Sequence, residues 1–308
     1  MTVLTVTPNP ALDITYLVDR LRPGHVHRVR AVRSRPGGKG VNVARVVRAR
    51  GVPAVVTGIL GGATGETLRA GLTDLGIEDA MLTEALETRR TVNIVDDAGT
   101  ATLLNEGGPD TGDEPWARLS ARVAELALGA DVAVVSGSLP PGPPPEAVAG
   151  LMAAAGHGGT PVIVDTSGPA LRHAAEAGPA VLKPNVEELR EVTGIDDPHR
   201  AAVALRRLGT GATAVVASLG ADGLLGVTAD GSWTARLAEP VIGNPTGAGD
   251  SVVAALALAV RAGDGCPDAL RDACALSAAT VLSPVAGEYD ADAYTRLRTR
   301  VIVSEVQA

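Results

Sequence analysis

Short runs of aliphatic and β-branched residues alternate along the chain with longer segments in which apolar residues recur at helical spacing. Each run is largely continuous, which indicates strands that are covered on both faces of a sheet. The runs lie at residues 3–7, 54–60, 131–138, 161–167, 180–185 and 212–220, and the helical segments at 41–50, 66–75, 116–127, 146–155, 186–193 and 200–208. Glycine follows several of the helical segments, as is common where a helix ends. This order predicts an α/β fold with a mostly parallel, doubly wound sheet, which binds ligands beyond the carboxyl ends of its strands.

Two segments depart from this pattern and are predicted to form a small β-sheet lid. Residues 11–35 carry alternating stretches on either side of Pro23-Gly24, and residues 90–105 form a predicted hairpin around residues 98–100. The sequence shows no linker around these segments and no repeat of solenoid period. We therefore expect a single domain over residues 1–308, with lid strands inserted at about 12–35 and 89–106.

Composition argues against several classes of protein. The 308 residues carry a net charge of −8, and 45% are hydrophobic but only 2% aromatic, so we expect an ordered chain with an aliphatic core. An acidic chain with a pI near 5.2 lacks the positive field of a non-specific nucleic-acid binder. The sequence contains no signal-peptide pattern and no long apolar stretch, which predicts a cytoplasmic protein without membrane contact.

Cysteine, histidine and serine patterns argue against other chemistries. Cys266 and Cys274 are too few for a disulfide framework or a thiolate metal site, and we interpret them as buried apolar residues. The five histidines lack the paired spacing of a zinc site. The sequence has no GxSxG elbow for a serine hydrolase, and no GxGxxG follows the first strand for a dinucleotide-binding fold.

Residues 244–251 (NPTGAGDS), followed at once by an apolar helical run, carry the strongest chemical signal. The small residues Gly247, Ala248 and Gly249 let three consecutive amides point into one space at the positive end of a helix. This arrangement predicts a cradle for a phosphate or a developing anion. Asp250 lies at its rim, where a carboxylate can accept a hydroxyl proton. The alternative is a glycine-rich loop whose aspartate only caps the helix.

A second glycine-rich turn, residues 36–40 (PGGKG), also precedes a helix. It is not a Walker P-loop, because Lys39 is followed by Gly40 rather than by serine or threonine. Asn42 lies in the helical turn that follows. We interpret the segment as a set of contacts for sugar hydroxyls, with a tight strand-to-helix turn as the alternative.

Residues 183–188 (KPNVEE) follow a predicted strand. Pro184 ends the strand, Asn185 is placed to cap the next helix, and Glu188 follows at the spacing of a reciprocal capping box. Oxygen ligands at the end of a strand can also organise Mg²⁺ through water. The sequence leaves open whether the segment serves capping alone or also binds a metal.

Six segments occur in the order seen in one family of kinases. They are residues 7–13 (TPNPALD), 37–42 (GGKGVN), 136–140 (SGSLP), 183–188 (KPNVEE), 218–220 (SLG) and 244–250 (NPTGAGD). In this combination the chain resembles the ribokinase-like (PfkB) carbohydrate kinases, and its opening is similar to the branch that holds 1-phosphofructokinase, tagatose-6-phosphate kinase and the minor 6-phosphofructokinase. The resemblance implies a three-layer αβα sandwich with a β-sheet lid, and a homodimer in which the lids of two subunits pair.

The resemblance also implies the cofactors ATP and Mg²⁺ and roles for individual residues. Asp250 would be the base that deprotonates the acceptor hydroxyl, and Gly247, Ala248 and Gly249 would form the anion hole. The residues implied in sugar binding are Asp13, Gly38, Lys39, Asn42 and Ser138. Those implied in binding ATP are Lys183, Asn185, Glu188, Ser218 and Gly220, of which Asn185 and Glu188 would position Mg²⁺, in part through water.

Basic residues in the lid segments bear on the identity of the acceptor. Seven of the chain's 27 basic residues lie within residues 20–39, and a phosphate on the substrate would be bound by such charges. A strand here would place Arg28 and Arg30 on one face. We select Lys39, Arg28 and Arg89 as ligands for the substrate phosphate. The predicted reaction is the ATP-dependent phosphorylation of D-fructose 1-phosphate to fructose 1,6-bisphosphate.

Other interpretations of the sequence remain to be tested. Tagatose 6-phosphate or fructose 6-phosphate is the alternative acceptor, and Leu103 stands where relatives often carry a basic residue. A sugar-phosphate-binding regulator without catalysis is a second alternative, against which the intact Asp250 argues. A nicotinamide-dependent oxidoreductase is disfavoured because the loop that binds its pyrophosphate is missing.

Overall fold

The computed structural model of the protein describes residues 2–283 and 288–306. Within these ranges the strands are β1 (Val3–Thr7), β2 (Ala11–Leu17), β3 (Ala31–Gly37), β4 (Ala54–Leu60), β5 (Glu78–Asp79), β6 (Leu82–Thr83), β7 (Arg89–Val95), β8 (Ala101–Asn105), β9 (Val132–Ser136), β10 (Val162–Asp165), β11 (Val181–Leu182), β12 (Ala214–Ser218), β13 (Leu224–Val227), β14 (Ser232–Arg236) and β15 (Ile302–Glu305). The helices are α1 (Lys39–Ala49), α2 (Gly62–Asp74), α3 (Asp113–Ala127), α4 (Ala147–Ala155), α5 (Pro169–Glu176), α6 (Val186–Thr193), α7 (Pro198–Arg206), α8 (Ala248–Ala262), α9 (Cys266–Val281) and α10 (Ala291–Arg298).

The larger sheet has the strand order β15-β14-β13-β12-β11-β10-β9-β1-β4-β5, with β6 paired to the end of β4. Pairs between β12 and β5 along this order are parallel, whereas β12 to β15 are joined by antiparallel pairs. Parallel strands end at the same edge of a sheet. The carboxyl ends of β1, β9, β10 and β11 therefore lie side by side, and the site is built on this edge.

Helices cover both faces of the larger sheet, so its central strands are apolar on both sides. In β9, Val132 and Val134 pack into one core cluster, while Ala133 and Val135 pack into the other. The first cluster is closed by α1, α2, α8, α9 and α10, and the second by α3 to α7. Burial of each large aliphatic side chain contributes about 1.5–3 kcal/mol. The two apolar layers thus stabilise a three-layer αβα sandwich.

The lid is a separate four-stranded sheet in the order β3-β2-β7-β8. Strand β2 is antiparallel to β3 and parallel to β7, and β7 is antiparallel to β8. Residues that lie directly opposite each other point to the same face of a sheet. Arg35, Asp13 and Thr91 are such partners. Three rows further along β2, Val32, Tyr16 and Ile94 are partners on the opposite face. The first face is polar and the second apolar.

The predicted mostly parallel sheet with flanking helices and a small lid is confirmed. The predicted core strands all form. β1 and β4 have the predicted bounds and the others are shorter; β11, for example, is only Val181–Leu182 because Pro184 cannot continue it. The antiparallel extension through β13, β14 and β15 was not predicted, because all three strands are short and β14 and β15 are partly exposed and give little hydrophobic signal. Across the described ranges, none of the helices combines the length and apolarity that crossing a bilayer requires.

Candidate active site

Asp250 lies in the first turn of α8, at the predicted anion cradle. It is 7% exposed, and its Oδ2 accepts a hydrogen bond from Nδ2 of Asn42 at 2.8 Å. Burial, and after it the nearby Asp165, raises the pKa of Asp250 to about 6, against the opposing effects of Lys39, Asn42 and Lys183. A carboxylate with this pKa is ionised at neutral pH and is a stronger base than an exposed aspartate, as proton transfer from a hydroxyl requires.

The turn that precedes α8 contains the residues of the predicted anion hole, next to Asp250. Gly247 has a φ of 84°, a left-handed conformation that favours glycine. The amide of Ala248 donates to the carbonyl of Pro245 at 3.1 Å, so it is already engaged within the turn. The anion hole formed by Gly247, Ala248 and Gly249 stays a prediction.

The glycine-rich turn at the start of α1 packs closely against the end of β1. A Cβ on Gly40 would lie 2.3 Å from Oγ1 of Thr7, which explains why only glycine fits there. Gly38 has a φ of 98° and directly precedes the helix. This packing brings Lys39 and Asn42, both in the first turn of α1, beside α8. The predicted sugar-binding segment and the predicted base therefore meet, as the 2.8 Å hydrogen bond between Asn42 and Asp250 shows.

The carboxylate of Asp165 lies between two lysines. It is 1% exposed, and its Oδ1 is 3.2 Å from Nζ of Lys39 and 3.4 Å from Nζ of Lys183. Burial alone would lower the pKa of Lys39, but the carboxylates of Asp165, Asp250 and Glu188 raise it. Lys39 therefore stays charged beside the base.

Asp165 was not selected from the sequence. It ends β10, and Lys183 follows the adjacent parallel strand β11, so both side chains lie at the same edge of the sheet. Ser136, which ends the neighbouring β9, donates from Oγ to Oδ2 of Asp165 at 3.4 Å. An acidic residue at the carboxyl end of a buried strand was the signal that could have identified it.

Arginines surround the lid residue Asp13. Burial raises the pKa of Asp13, and the charges of Arg35, Arg45 and Arg89 oppose this effect. The backbone of β3 also lies against the carboxylate, because a Cβ on Gly37 would be 2.2 Å from Cγ of Asp13. Asp13 and Arg89 are predicted site residues, whereas Arg35 and Arg45 were not selected as ligands. Their proximity depends on strand pairing and on the packing of α1, which sequence spacing does not reveal.

Ser138 and Arg89 are linked through Asn9. The Oγ of Ser138, an exposed residue after β9, lies 3.4 Å from Nδ2 of Asn9. Asn9 is 6% exposed, and its carbonyl accepts a hydrogen bond from Nε of Arg89 at 3.1 Å. Asn9 was not selected from the sequence, although it belongs to the TPNPALD segment. It connects the start of the lid to the edge of the larger sheet.

A cavity of about 1200 Å³ adjoins Lys39 and Lys183. The predicted nucleotide-binding residues Asn185, Ser218 and Gly220 line it. The Oγ of Ser218 is buried and has no hydrogen-bond partner among the described residues. Aromatic side chains are missing from the part of the wall that the structure describes, and its large aliphatic side chains are Val186, Leu219, Leu224, Leu237, Val241, Ile242, Val252 and Val281. The cavity is large enough for a nucleotide.

Asn185 and Glu188 form the predicted capping box at the start of α6. Oδ1 of Asn185 accepts from the amide of Glu188 at 2.8 Å, and Oε2 of Glu188 accepts from the amide of Asn185 at 2.8 Å. The capping interpretation is confirmed. Oε1 of Glu188 is not part of the box. Within residues 2–283 and 288–306, the structure contains no cluster of three acidic, histidine or cysteine side chains that could hold a metal ion by itself.

Arg28 and Arg30 lie outside the lid strands. Because β3 begins at Ala31, the prediction that these two arginines share a strand face is wrong. Arg30 instead pairs with Asp19 and Asp97 in neighbouring loops. Arg28 is exposed on the loop between β2 and β3, and its contact with a substrate phosphate stays a prediction.

Comparison with known proteins defines the class. Residues 8–292 match the pfkB family of carbohydrate kinases, so the chain belongs to this family. It is 36% identical over 265 residues to the 1-phosphofructokinase of Xanthomonas campestris pv. campestris, an alignment that covers 83% of each chain.

Solved structures agree with this assignment. The chain resembles phosphofructokinase-2 from Escherichia coli in complex with fructose-6-phosphate, with a TM-score of 0.86, 30% identity and coverage of 96% of this chain and 98% of the other. It also resembles a possible 1-phosphofructokinase from Thermotoga maritima, with a TM-score of 0.90, 27% identity and full coverage of both chains. The chain is thus an ATP-dependent sugar kinase, and the surroundings of Asp250 are its candidate centre of phosphoryl transfer.

Proposed function

We propose that the protein transfers the γ-phosphoryl group of ATP to the C6 hydroxyl of D-fructose 1-phosphate, giving fructose 1,6-bisphosphate and ADP, within a single kinase domain. The observation that carries this proposal is the placement of the buried Asp250. It lies at the start of α8, bonded to Asn42, which in turn contacts Arg45 from the arginine-rich surroundings of Asp13, and close to Lys39, which lines the nucleotide-sized cavity.

Asp250 is the proposed base. As the C6 oxygen attacks the γ-phosphorus, its proton passes to Asp250, and the bond from the γ-phosphorus to the bridging oxygen breaks to release ADP. Oδ2 of Asp250 is held by Asn42, which leaves Oδ1 for the proton. Nζ of Lys183 lies 3.8 Å from the position of a Cβ on Gly249, so an ammonium group and the amide cradle face the same space. Together they stabilise the negative charge of the transferred group.

The residues near Glu188 fit a magnesium ion. Mg²⁺ keeps much of its water and needs only one or two protein carboxylates together with the substrate's phosphates. Oε1 of Glu188, outside the capping box, supplies such an oxygen, so Glu188 and Asn185 would hold the ion in part through water. When bound, the metal would neutralise charge on the phosphates of ATP.

The lid pocket favours an acceptor that already carries a phosphate. Nη1 of Arg35 is buried and has no hydrogen-bond partner within the described part of the chain, and a phosphate would supply one. The pairing of the lid strands shows where positive charge can lie when position 103 is a leucine rather than a basic residue. On the face of the lid that carries Asp13, Arg33 and Arg35 of β3 provide positive charge although β8 provides none.

The relatives support fructose 1-phosphate as the acceptor, because the 1-phosphofructokinase of Xanthomonas campestris is 36% identical to this chain. Fructose 6-phosphate is the second candidate, since the similar phosphofructokinase-2 was solved with that sugar phosphate. Tagatose 6-phosphate is chemically close to it. Either sugar would bind in reverse, with its free C1 hydroxyl at Asp250 and its phosphate at the far end of the pocket.

The apolar face of the lid supports a homodimer. One row across the sheet holds Val32, Tyr16 and Ile94, and the next row on this face adds Val92 and Leu104. Val32 is 60% and Leu104 55% exposed, so the face is incompletely covered within one chain. A second lid packed face to face would bury these side chains. We propose that such a dimer acts in the cytoplasm, where ATP and sugar phosphates are available.

A coupled assay of ADP release tests the acceptor. Initial rates are measured with fructose 1-phosphate, fructose 6-phosphate, tagatose 6-phosphate and the free sugars at equal concentrations. The highest kcat/KM is expected with fructose 1-phosphate. Higher values with a 6-phosphate would move the assignment to the second candidate, and turnover of free sugars alone would refute the argument from the lid arginines. Sugar-phosphate binding without any ADP release would indicate a non-catalytic regulator.

A further inference from the structure

Arg45 is a buried arginine that has no part in the proposed reaction. It lies on α1, one helical turn after Asn42, and is only 6% exposed. Its Nη1 donates to Oδ1 of Asn42 at 3.1 Å, and its Nη2 donates to the carbonyl of Pro36 near the end of β3. One guanidinium thus joins the lid, the first helix and the amide that contacts Asp250.

We propose that Arg45 is a positioning residue that sets the orientation of the Asn42 amide, so that Nδ2 faces Asp250 and Oδ1 of Asp250 stays available for the proton of the acceptor. This inference rests on the proposed phosphoryl transfer. The amide of Asn42 has one side that accepts and one side that donates, whereas a guanidinium can only donate. Oδ1 of Asn42 must therefore face Arg45, which turns Nδ2 towards Asp250.

The opposite orientation of the amide would be unfavourable at both ends. Oδ1 of Asn42 would face the carboxylate of Asp250, and Nδ2 would face the guanidinium of Arg45. Two acceptors and two donors would then lie against each other in a buried region, where unpaired polar groups are costly. Arg45 therefore selects one of two amide orientations, and the 2.8 Å bond to Asp250 depends on that selection.

The charge of Arg45 acts in the same direction. Burial, and after it the nearby Arg35, lowers the pKa of Arg45 to about 10, so the guanidinium stays charged at neutral pH. Its positive charge favours the ionised form of Asp250, which is the form that accepts a proton. A neutral residue at position 45 would lose both the orientation of the amide and this electrostatic support.

A double-mutant cycle separates this role from a structural one. Arg45→Met removes the guanidinium, and Asn42→Leu replaces the amide by an apolar group of similar shape. Each single variant is expected to lower kcat, Arg45→Met by roughly 10²-fold, because small displacements of reacting groups cost about that much. If Arg45 positions Asp250 through Asn42, adding Arg45→Met to Asn42→Leu lowers kcat no further at a pH high enough for Asp250 to be ionised in every variant. Losses that multiply in the double variant would overturn the proposal.

The pH profile gives a second readout. The groups that face Asp250 are Asp165 at the end of β10, Lys183 after β11, and Lys39, Asn42 and Arg45 on α1. In Arg45→Met only the last is changed, so the acidic limb of kcat/KM is expected at higher pH than in the wild type. Arg45→Lys keeps the charge but loses the two-armed donor, so its limb stays near the wild-type position while kcat remains low. An unmoved limb in Arg45→Met would contradict the proposal.

Arg48→Met is the matched control. Arg48 lies on the next part of the same helix, and its Nε donates to the carbonyl of Gly76 at 2.9 Å, away from Asp250. Its kcat and pH profile are expected to equal those of the wild type. If Arg45→Met does not fold, Arg45→Lys and Asn42→Leu carry the same cycle. A wild type that is inactive on every acceptor would refute the proposed function, whereas an active wild type with multiplying losses would refute only the role of Arg45.

Discussion

Asp250→Asn is expected to stabilise the protein while it stops catalysis. The wild-type carboxylate is buried at the start of α8, and its pKa is raised to about 6, chiefly by burial. In an unfolded chain an aspartate has a pKa of about 3.9. Ionisation at neutral pH therefore costs the folded state roughly 3 kcal/mol, because each pKa unit corresponds to about 1.4 kcal/mol. The uncharged asparagine side chain avoids this cost.

The pH dependence of this stability difference follows from proton binding by Asp250. Because the pKa of Asp250 is higher in the folded protein, the fold binds this proton more tightly than the unfolded chain does. The stabilisation from the protonated group is fully present below about pH 4, and it is lost as the pH rises through about 6. The advantage of Asp250→Asn should thus be small near pH 4 and reach roughly 3 kcal/mol above pH 7. This corresponds to a melting temperature higher by roughly 5 °C.

The assay is unfolding of both proteins without substrates, followed by circular dichroism in urea and by calorimetry, at pH 4.5 and pH 7.5. Asp165→Asn is the matched control, because it neutralises another buried carboxylate but leaves the 5%-exposed Lys183 without its partner charge. That variant is expected to lose roughly 3–5 kcal/mol. A gain in Asp250→Asn that is equal at both pH values, or a loss at pH 7.5, would refute the reasoning.

Three further predictions follow from the site and the lid. Below pH 6, kcat/KM should fall about tenfold per pH unit as Asp250 is protonated. Lys39→Met removes a charge that lowers the pKa of Asp250, so this acidic limb of the profile should move to higher pH. An acidic limb that is set by the substrate's own phosphate would not move. Gly37→Ala places a Cβ 2.2 Å from Cγ of Asp13, so kcat/KM for the sugar phosphate should fall by roughly 10²-fold while the KM for ATP is unchanged. Equal effects on both substrates would contradict this expectation. Val32→Glu should convert the dimer to monomers in sedimentation velocity, whereas Val26→Glu, at a loop residue that is 98% exposed, should not; dimers in both variants would exclude the apolar face of the lid as the interface.

The sequence predicts those parts of the site that depend on local geometry. The glycine-rich turn and Asp250 are only a few positions apart in the sequence, and so are the two capping residues Asn185 and Glu188. Spacing within each segment therefore places these residues. The alternation of strands and helices likewise predicts the sandwich, because each element must bury an apolar face.

Contacts between distant segments could not be predicted in this way. Asp165 meets Lys39 across 126 residues, and Asn42 meets Asp250 across 208. Both contacts depend on which parallel strands are neighbours and on how α1 packs against α8. Arg45 illustrates the same limit, because the sequence shows a helical arginine while the structure shows a buried donor to Asn42.

Phosphoryl transfer to fructose 1-phosphate with Asp250 as the base is tested most directly by phosphorus NMR of the complete reaction. Purified wild type and Asp250→Asn are each incubated with ATP, Mg²⁺ and D-fructose 1-phosphate, and the products are quantified over time. ADP and fructose 1,6-bisphosphate should appear in equal amounts with the wild type, and neither should accumulate with a folded Asp250→Asn. Turnover by Asp250→Asn near the wild-type rate, or no bisphosphate from the wild type, would contradict the account.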